Sequence, residues 1–474
     1  MTAVNLLAAI CAEPPLSACL HCTMIMDSNK QFVCADLFDQ NFQIECTLGD
    51  RLLTRTPVSC IFFFAKACDC SSLLLGIKTA LSDFPFLAGR LVLKSDQLFL
   101  DCNNQGILFS SAIHEERIAD IISNLDSVPS AMLVDHLKNE PDKYSTRPLL
   151  SIVVGYFECG GMSIGVSWHH SVGDMHTLML FMKAWAAAVN HRASDKPLIV
   201  GSRKEFLSRF LLGADPASAA PLVRHYGRLQ LVKAYGKLAF ASARTQQRSF
   251  YFSTHELRRM RVDLSESVGR ELSLNDCICA HLGHALIHAG CGQPSIDLGI
   301  TVNYRKRLGL SAFACGNFIA PVFASCSSDS STCETALRIQ SACRDSAYLL
   351  NALAATVSFV AGKLKTGSYE QFLPIALSQD RLTLLTTNWS RFGALEIAFG
   401  NASPFFFMPF GHYKIPWLCG IVEGFHGQGI LASIVLPHDM HGEAKQADFI
   451  SYLHKYRALS DELPAMVTGC SWIS

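Results

Sequence analysis

The segment Ser167-Trp168-His169-His170-Ser171-Val172-Gly173-Asp174 puts two imidazoles at the end of an apolar run, with a carboxylate four residues after the second. An imidazole at the end of a buried strand, with an acid just past a short loop, suits a general base held in a cleft. The pattern alone is cheap. With 17 His in the chain, about one His-x-x-x-Asp arises by chance. A second match, His191-Arg192-Ala193-Ser194-Asp195, sits in a polar stretch running into Pro197 and reads as a solvated loop.

The elements that would position the first match are legible. Val58 to Ala65 is a compact apolar run, expected as a buried strand. Ser71 to Leu81 has helical spacing and stops at Asp83-Phe84-Pro85. Gly89 to Leu93 and Gln97 to Asp101 predict one hairpin; Leu149 to Tyr156 and Met162 to Trp168 predict another, which delivers the His pair. The second hairpin is long enough to suggest a membrane span, but Glu158 and Gly160-Gly161 interrupt it. Asp174 is placed to N-cap a helix through Leu178, Phe181, Met182 and Trp185. Residues 196–244 are basic, Ala-rich and weakly periodic, as in a crossover. Further on, Ser249 to Ser253 reads as a strand, Ser273 to Ala289 as a helix and Asp297 to Asn303 as a strand. Strands follow at 381–389, 394–399, 420–423 and 429–436, with a last helix from about Ala444 to Leu459.

Half of the 474 residues are hydrophobic and 17% are charged, enough to bury sizeable cores in more than one domain. Forty basic side chains balance forty acidic ones without a basic stripe, so nucleic acid is not an expected partner. The 19 Cys are scattered through apolar segments and fit reduced thiols in the cytoplasm. Cys19-Leu20-His21-Cys22 is half a zinc clip without its second half. His281, His284 and His288 share one helical face, and His438-Asp439-Met440-His441 is a second cluster; no metal is expected at either. Met1 to Ala12 is apolar but lacks a cationic start and does not read as a signal peptide.

Several segments, in order, resemble the plant and fungal BAHD acyltransferases. Phe84-Pro85-Phe86-Leu87-Ala88-Gly89-Arg90-Leu91 is similar to the family's YPLAGRL segment. His170 and Asp174 occupy its HxxxD motif, after Arg147-Pro148-Leu149-Leu150 and Cys159-Gly160-Gly161. Ser249 to Leu257 resembles the entry to its second domain. Val302-Asn303-Tyr304-Arg305-Lys306-Arg307-Leu308 resembles VNxRxRL, and Gly316-Asn317-Phe318 its GN segment. Thr387-Asn388-Trp389 and Ala398-Phe399-Gly400-Asn401-Ala402 stand where TSW and DFGWG are expected. The match spans roughly residues 55 to 440. Met175 departs from the usual Gly, and Ala398, Asn401 and Ala402 depart from Asp, Trp and Gly.

The resemblance implies an α/β fold of two chloramphenicol-acetyltransferase-like domains, each a mixed sheet flanked by helices, with a channel between them. The expected boundaries are 1–195, a crossover over 196–247, and 248–474. It implies transfer of an acyl group, such as acetyl, from a coenzyme A thioester to a hydroxyl. Acyl-CoA is then a co-substrate and no permanently bound cofactor is expected. His170 would be the general base, with His169 on the opposite face of the extended chain. Asp174 would pair with Arg305 rather than complete a triad, and can cap its helix at the same time. Thr387 and Trp389 would line the channel and offer oxyanion donors. Gly400 would let backbone approach the pantetheine arm, and Lys306 and Arg307 are candidates for the nucleotide phosphates. The 30 Phe, Phe405-Phe406-Phe407 among them, suit a dry pocket for a neutral, hydrophobic acceptor. A cytoplasmic monomer without a membrane span is expected. The alternatives are a condensation-type, amide-forming enzyme and an inactive family member acting as a scaffold.

Overall fold

Two six-stranded mixed sheets carry the fold. The computed structural model describes residues 30–138, 144–364, 368–378, 381–411, 415–440 and 442–473. Met1 to Ala12, the Cys19–Cys22 clip and His441 lie outside the described residues. In chain order the strands of these two sheets are β1 (Gln31–Val33), β2 (Val58–Phe64), β3 (Ile107–His114), β4 (Leu150–Phe157), β5 (Met162–Trp168), β6 (Thr245–Phe252), β7 (Ser295–Asn303), β8 (Ile319–Ser327), β9 (Thr383–Asn388), β10 (Pro404–Pro409), β11 (Leu418–Glu423) and β12 (Ile430–Pro437). The first sheet runs β1-β3-β4-β5-β2-β10 and the second β6-β12-β11-β9-β7-β8. Each mixes parallel with antiparallel neighbours, with β3/β4 parallel in the first and β9 parallel to both β7 and β11 in the second.

The first sheet packs against helices α1 (Cys70–Asp83) and α2 (Met175–Val189). Continuous apolar sequence makes β2 an interior strand, with six of its seven residues buried. Burying each of Phe62, Phe63 and Phe64 contributes roughly 1.5–3 kcal/mol relative to leaving it exposed. Helix α1 starts at Asp69, whose carboxylate accepts from the amides of Ser71 and Ser72, and ends before Pro85. Gly76 lets α1 close on α2, because a Cβ there would lie 2.4 Å from Val189 Cγ2. Strands β4 and β5 are an antiparallel pair joined by a turn, not a membrane segment.

The segment 196–247 is more ordered than its weak periodicity suggests. It holds α3 (Arg203–Phe210) and α4 (Arg228–Ser242), and its strand Val223–His225 pairs with Phe372–Pro374. Helices α5 (Thr254–Ser267), α6 (Leu274–His288) and α7 (Thr332–Arg344) cover the second sheet. They are followed by α8 (Ser346–Leu364) and, near the end, α9 (Glu443–Leu453), which stops six residues short of the expected Leu459. Among the described residues α8 is the single helix long and apolar enough to cross a membrane; its inner face, with Leu349, Ala352, Ala355 and Val360, is buried in the fold.

Two features depart from the sequence reading. No strand forms over 394–399; a one-turn helix at Ala394–Glu396 is followed by a tight turn between Phe399 and Ala402. Gly393 and Gly400, at φ +73° and +63°, turn the backbone out of the extended region. Strand β10 lies within 248–474 yet forms the edge of the first sheet, antiparallel to β2. Phe405, Phe406 and Phe407 are therefore core residues, with Phe407 4.6 Å from Phe62 and Phe406 4.2 Å from Phe425.

Candidate active site

Strand β5 ends at Trp168 and the chain turns through His170–Val172 into α2. The two imidazoles part at this bend. His169 is 5% exposed, its Nδ1 accepts from the Ser171 amide at 3.4 Å, and its ring meets Tyr144 edge-on at 5.7 Å. Burial, with the adjacent His170, pushes its pKa down to about 3. His170 is half-buried. Its Nδ1 is sealed and unpartnered, so the ring edge that meets solvent carries Nε2. Burial lowers the His170 pKa, opposed by its own carbonyl, by Asp174 and by the Asn317 side chain. Both rings are neutral near neutral pH.

Asp174 faces away from His170. Its Oδ1 accepts from the Thr177 amide and hydroxyl at 3.0 and 3.1 Å, and its Oδ2 from the Phe318 amide at 3.0 Å. Arg305 adds two bonds, Nη1 to Oδ2 at 2.7 Å and Nη2 to Oδ1 at 2.9 Å. Five donors fill a carboxylate that is 1% exposed, leaving no lone pair for a triad with the imidazole. Burial raises the Asp174 pKa, but the Arg305 charge and these bonds outweigh it and hold the carboxyl below its usual range. The carboxylate also caps α2 through Thr177.

Trp389, at the end of β9, approaches from the second sheet. Its ring lies 6.2 Å from Trp168 and 6.1 Å from Phe407. The indole N–H is already engaged, donating to Thr387 Oγ1 at 3.1 Å. The Thr387 hydroxyl is left with its own proton to give.

Gly400 stands apart from the base, Arg307 is bonded to backbone and Lys306 is exposed. Gly400 lies at the far end of α2, where its amide donates to Asn190 Oδ1 at 2.8 Å while Asn190 Nδ2 donates to the Ala398 carbonyl at 2.7 Å. Fifteen residues at about 1.5 Å rise put that end roughly 22 Å from Met175. Its backbone shapes a turn there and does not meet the base. Lys306 is exposed, and Arg307 Nη1 donates to the Asn303 carbonyl at 3.1 Å. A groove of about 580 Å³ lies between α5 and the loop after β9, lined by Arg258, Arg261 and Arg391 and also by Glu266, Glu271 and Glu423. His191 and Asp195 are exposed, as in a solvated loop. His281 and His284 are buried on Leu453 O and Thr335 Oγ1, and the described residues contain no metal-holding cluster.

Sequence reasoning gave no chemistry to Asp50, Arg203 or Asn317, yet all three are buried around the His170 loop. Asn317 Nδ2 donates to the His170 carbonyl and to Asp50 Oδ1, both at 2.7 Å. Arg203 donates to the carbonyls of Ser171 and Val172 at 3.2 and 2.9 Å.

A family model described as the Transferase family matches residues 24–442. The acetyl-CoA-benzylalcohol acetyltransferase of Clarkia breweri is 25% identical over 445 residues, covering 87% of this chain and 95% of the relative. Among solved structures, vinorine synthase superposes with TM-score 0.64 at 17% identity, over 91% of this chain and 98% of its own. F. graminearum TRI101 complexed with ethyl coenzyme A gives 0.66 at 14% identity, over 86% and 96%. These two share the fold of two mixed sheets flanked by helices. With its model matched over nearly its whole length, the chain belongs to the Transferase family, the BAHD acyltransferases, and is an acyltransferase.

Proposed function

We propose that the protein moves an acyl group, acetyl in the simplest case, from coenzyme A to the hydroxyl of a neutral, hydrophobic small molecule, with His170 as general base. The observation that carries this reading is the contrast within the doublet: His169 is sealed, while His170 is half-buried with only Nδ1 enclosed. Nε2 takes the proton of the acceptor hydroxyl as its oxygen bonds to the thioester carbon. The tetrahedral intermediate expels coenzyme A thiolate, and the same imidazole returns the proton to sulfur. A neutral ring is the form this step needs, and burial favours it.

Thr387 supplies the donor to the developing oxyanion, and Trp389 orients it by giving its own N–H to Oγ1. Arg258 and Arg391, in a groove where Arg261 is held by Glu271, join Lys306 and Arg307 as candidates for the donor's phosphates; Ser390 in the same groove is next in sequence to Trp389. The departures from DFGWG are compensated locally, since Asn190 bridges Ala398 and Gly400; this speaks for an active member rather than a scaffold. All sixteen described cysteines are free, which fits a reducing cytoplasm, and we take the protein to be a monomer.

The test is release of free thiol from acetyl-CoA, with benzyl alcohol and a panel of other hydrophobic alcohols. Turnover by the wild type and its loss in His170→Ala is the expected result. Turnover that survives the substitution removes the base assignment.

A further inference from the structure

Four consecutive carbonyls of the His170 loop each accept from a buried side chain. Asn317 Nδ2 holds the carbonyl of His170, Arg203 Nη1 and Nη2 hold those of Ser171 and Val172, and Trp168 Nε1 holds that of Gly173 at 3.1 Å. Ser171 Oγ adds a bond to the Asp50 carbonyl at 2.8 Å. Arg203, 1% exposed, comes from α3 in the crossover, and its Nη1 lies 3.7 Å from Oδ2 of Asp50, which is 0% exposed. The loop is thus held by a second buried ion pair that shares no residue with Asp174–Arg305.

Asn317 is the hinge of this arrangement, and chemistry fixes which way its amide points. Nδ2 faces a carboxylate oxygen and a carbonyl, both acceptors, so the flipped amide would set oxygen against oxygen twice. Oδ1 must then lie on the other branch, where it is buried and unpartnered. His170 Nδ1 is buried and makes no hydrogen bond of good geometry either, with its own carbonyl and the Asn317 side chain as the acceptors near the ring. One orphan accepts only, the other donates when it carries the ring proton, and their residues already touch at 2.7 Å. Leaving both unpaired would cost each buried group its hydration with nothing in return.

We propose that Asn317 is a positioning residue for the base: its Oδ1 takes the Nδ1–H of His170, and the Asp50–Arg203 pair keeps the amide turned to do so. This rests on the reading of His170 as base. The consequence is a fixed tautomer with the Nε2 lone pair toward the acceptor, the role a triad would give to Asp174. The Asn317 side chain also acts on the ring in the expected sense, favouring its protonated form.

The tautomer can be read without any activity. In protein labelled with 15N-histidine, the signals lost in His170→Ala identify the ring; the wild type should show a protonated Nδ1 and a bare Nε2. A proton on Nε2, or a rapid average of both forms, overturns the proposal whether or not any variant folds. Asn317→Ala should lower kcat for acetyl transfer about 100-fold, with the KM for acetyl-CoA changed less than about twofold. Wild-type kcat in Asn317→Ala, with turnover still lost in His170→Ala, overturns the positioning role alone. Turnover retained in His170→Ala overturns the base reading and this one with it.

Discussion

Asp174 and Arg305, 131 residues apart in the chain, share two hydrogen bonds of 2.7 and 2.9 Å with both side chains sealed from solvent. The pair ties the loop after β5 to the loop after β7, and so one sheet to the other. Removing one partner strands the opposite charge in the interior, which costs about 3–5 kcal/mol. Asp174→Asn and Arg305→Met should each lower the unfolding free energy by about that much, and the double variant should fall little further, since both remove the same pair. Denaturant titrations of the four proteins decide it. Fully additive losses would mean that the two residues act separately.

His169 gives the protein an acid limit of its own. Its folded pKa, pushed down to about 3, lies below its unfolded value near 6.5. The unfolded chain therefore binds the extra proton first, and stability is lost as pH falls from about 6.5 toward 3. One such group contributes a slope of up to about 1.4 kcal/mol per pH unit in that window. His281, held down to about 4, acts in the same sense and is common to wild type and variant. His169→Gln should flatten the fall in unfolding free energy between pH 6 and pH 4. Equal slopes would mean that His169 takes up its proton while folded.

The His170 loop was legible because its signals are local. An apolar strand, a His pair and a capping Asp stand within thirteen residues, and Met162–Trp168 and Met175–Val189 form as their patterns require. Arg203 was not legible. In sequence it is one of two adjacent cations, and only the fold buries it at 1% exposure while its neighbour Lys204 stays in solvent. Asp50 likewise lies 121 residues from Ser171. Strand β10 failed for a related reason: Pro-Phe-Phe-Phe reads equally as pocket lining or core, and its partner β2 lies more than three hundred residues upstream. Non-local pairing leaves no mark in local periodicity.

Thr387 and Trp389 should differ in how much their loss costs. If Thr387 Oγ1 donates to the oxyanion, Thr387→Val removes the donor at nearly constant volume and should lower kcat about 100-fold or more. Trp389→Phe keeps an aromatic ring against Trp168 and Phe407 and removes only the 3.1 Å donation to Thr387, so its loss should be smaller. Single-turnover thiol release from acetyl-CoA compares the two directly. The reverse order would make the indole itself the donor.

Gly400 separates a turn from a donor contact. At φ +63° a non-glycine residue pays roughly 1–2 kcal/mol for the left-handed backbone, while open space lies around the position its Cβ would take. Gly400→Ala should therefore lose about 1–2 kcal/mol of stability by denaturant titration and leave the KM for acetyl-CoA unchanged. Asn190→Ala removes the side chain that bridges Ala398 and Gly400, and it should repeat that result: lower stability, the same KM. A raised KM in Gly400→Ala alone would place the pantetheine arm against this turn after all, and the roughly 22 Å between the two ends of α2 argues against that outcome.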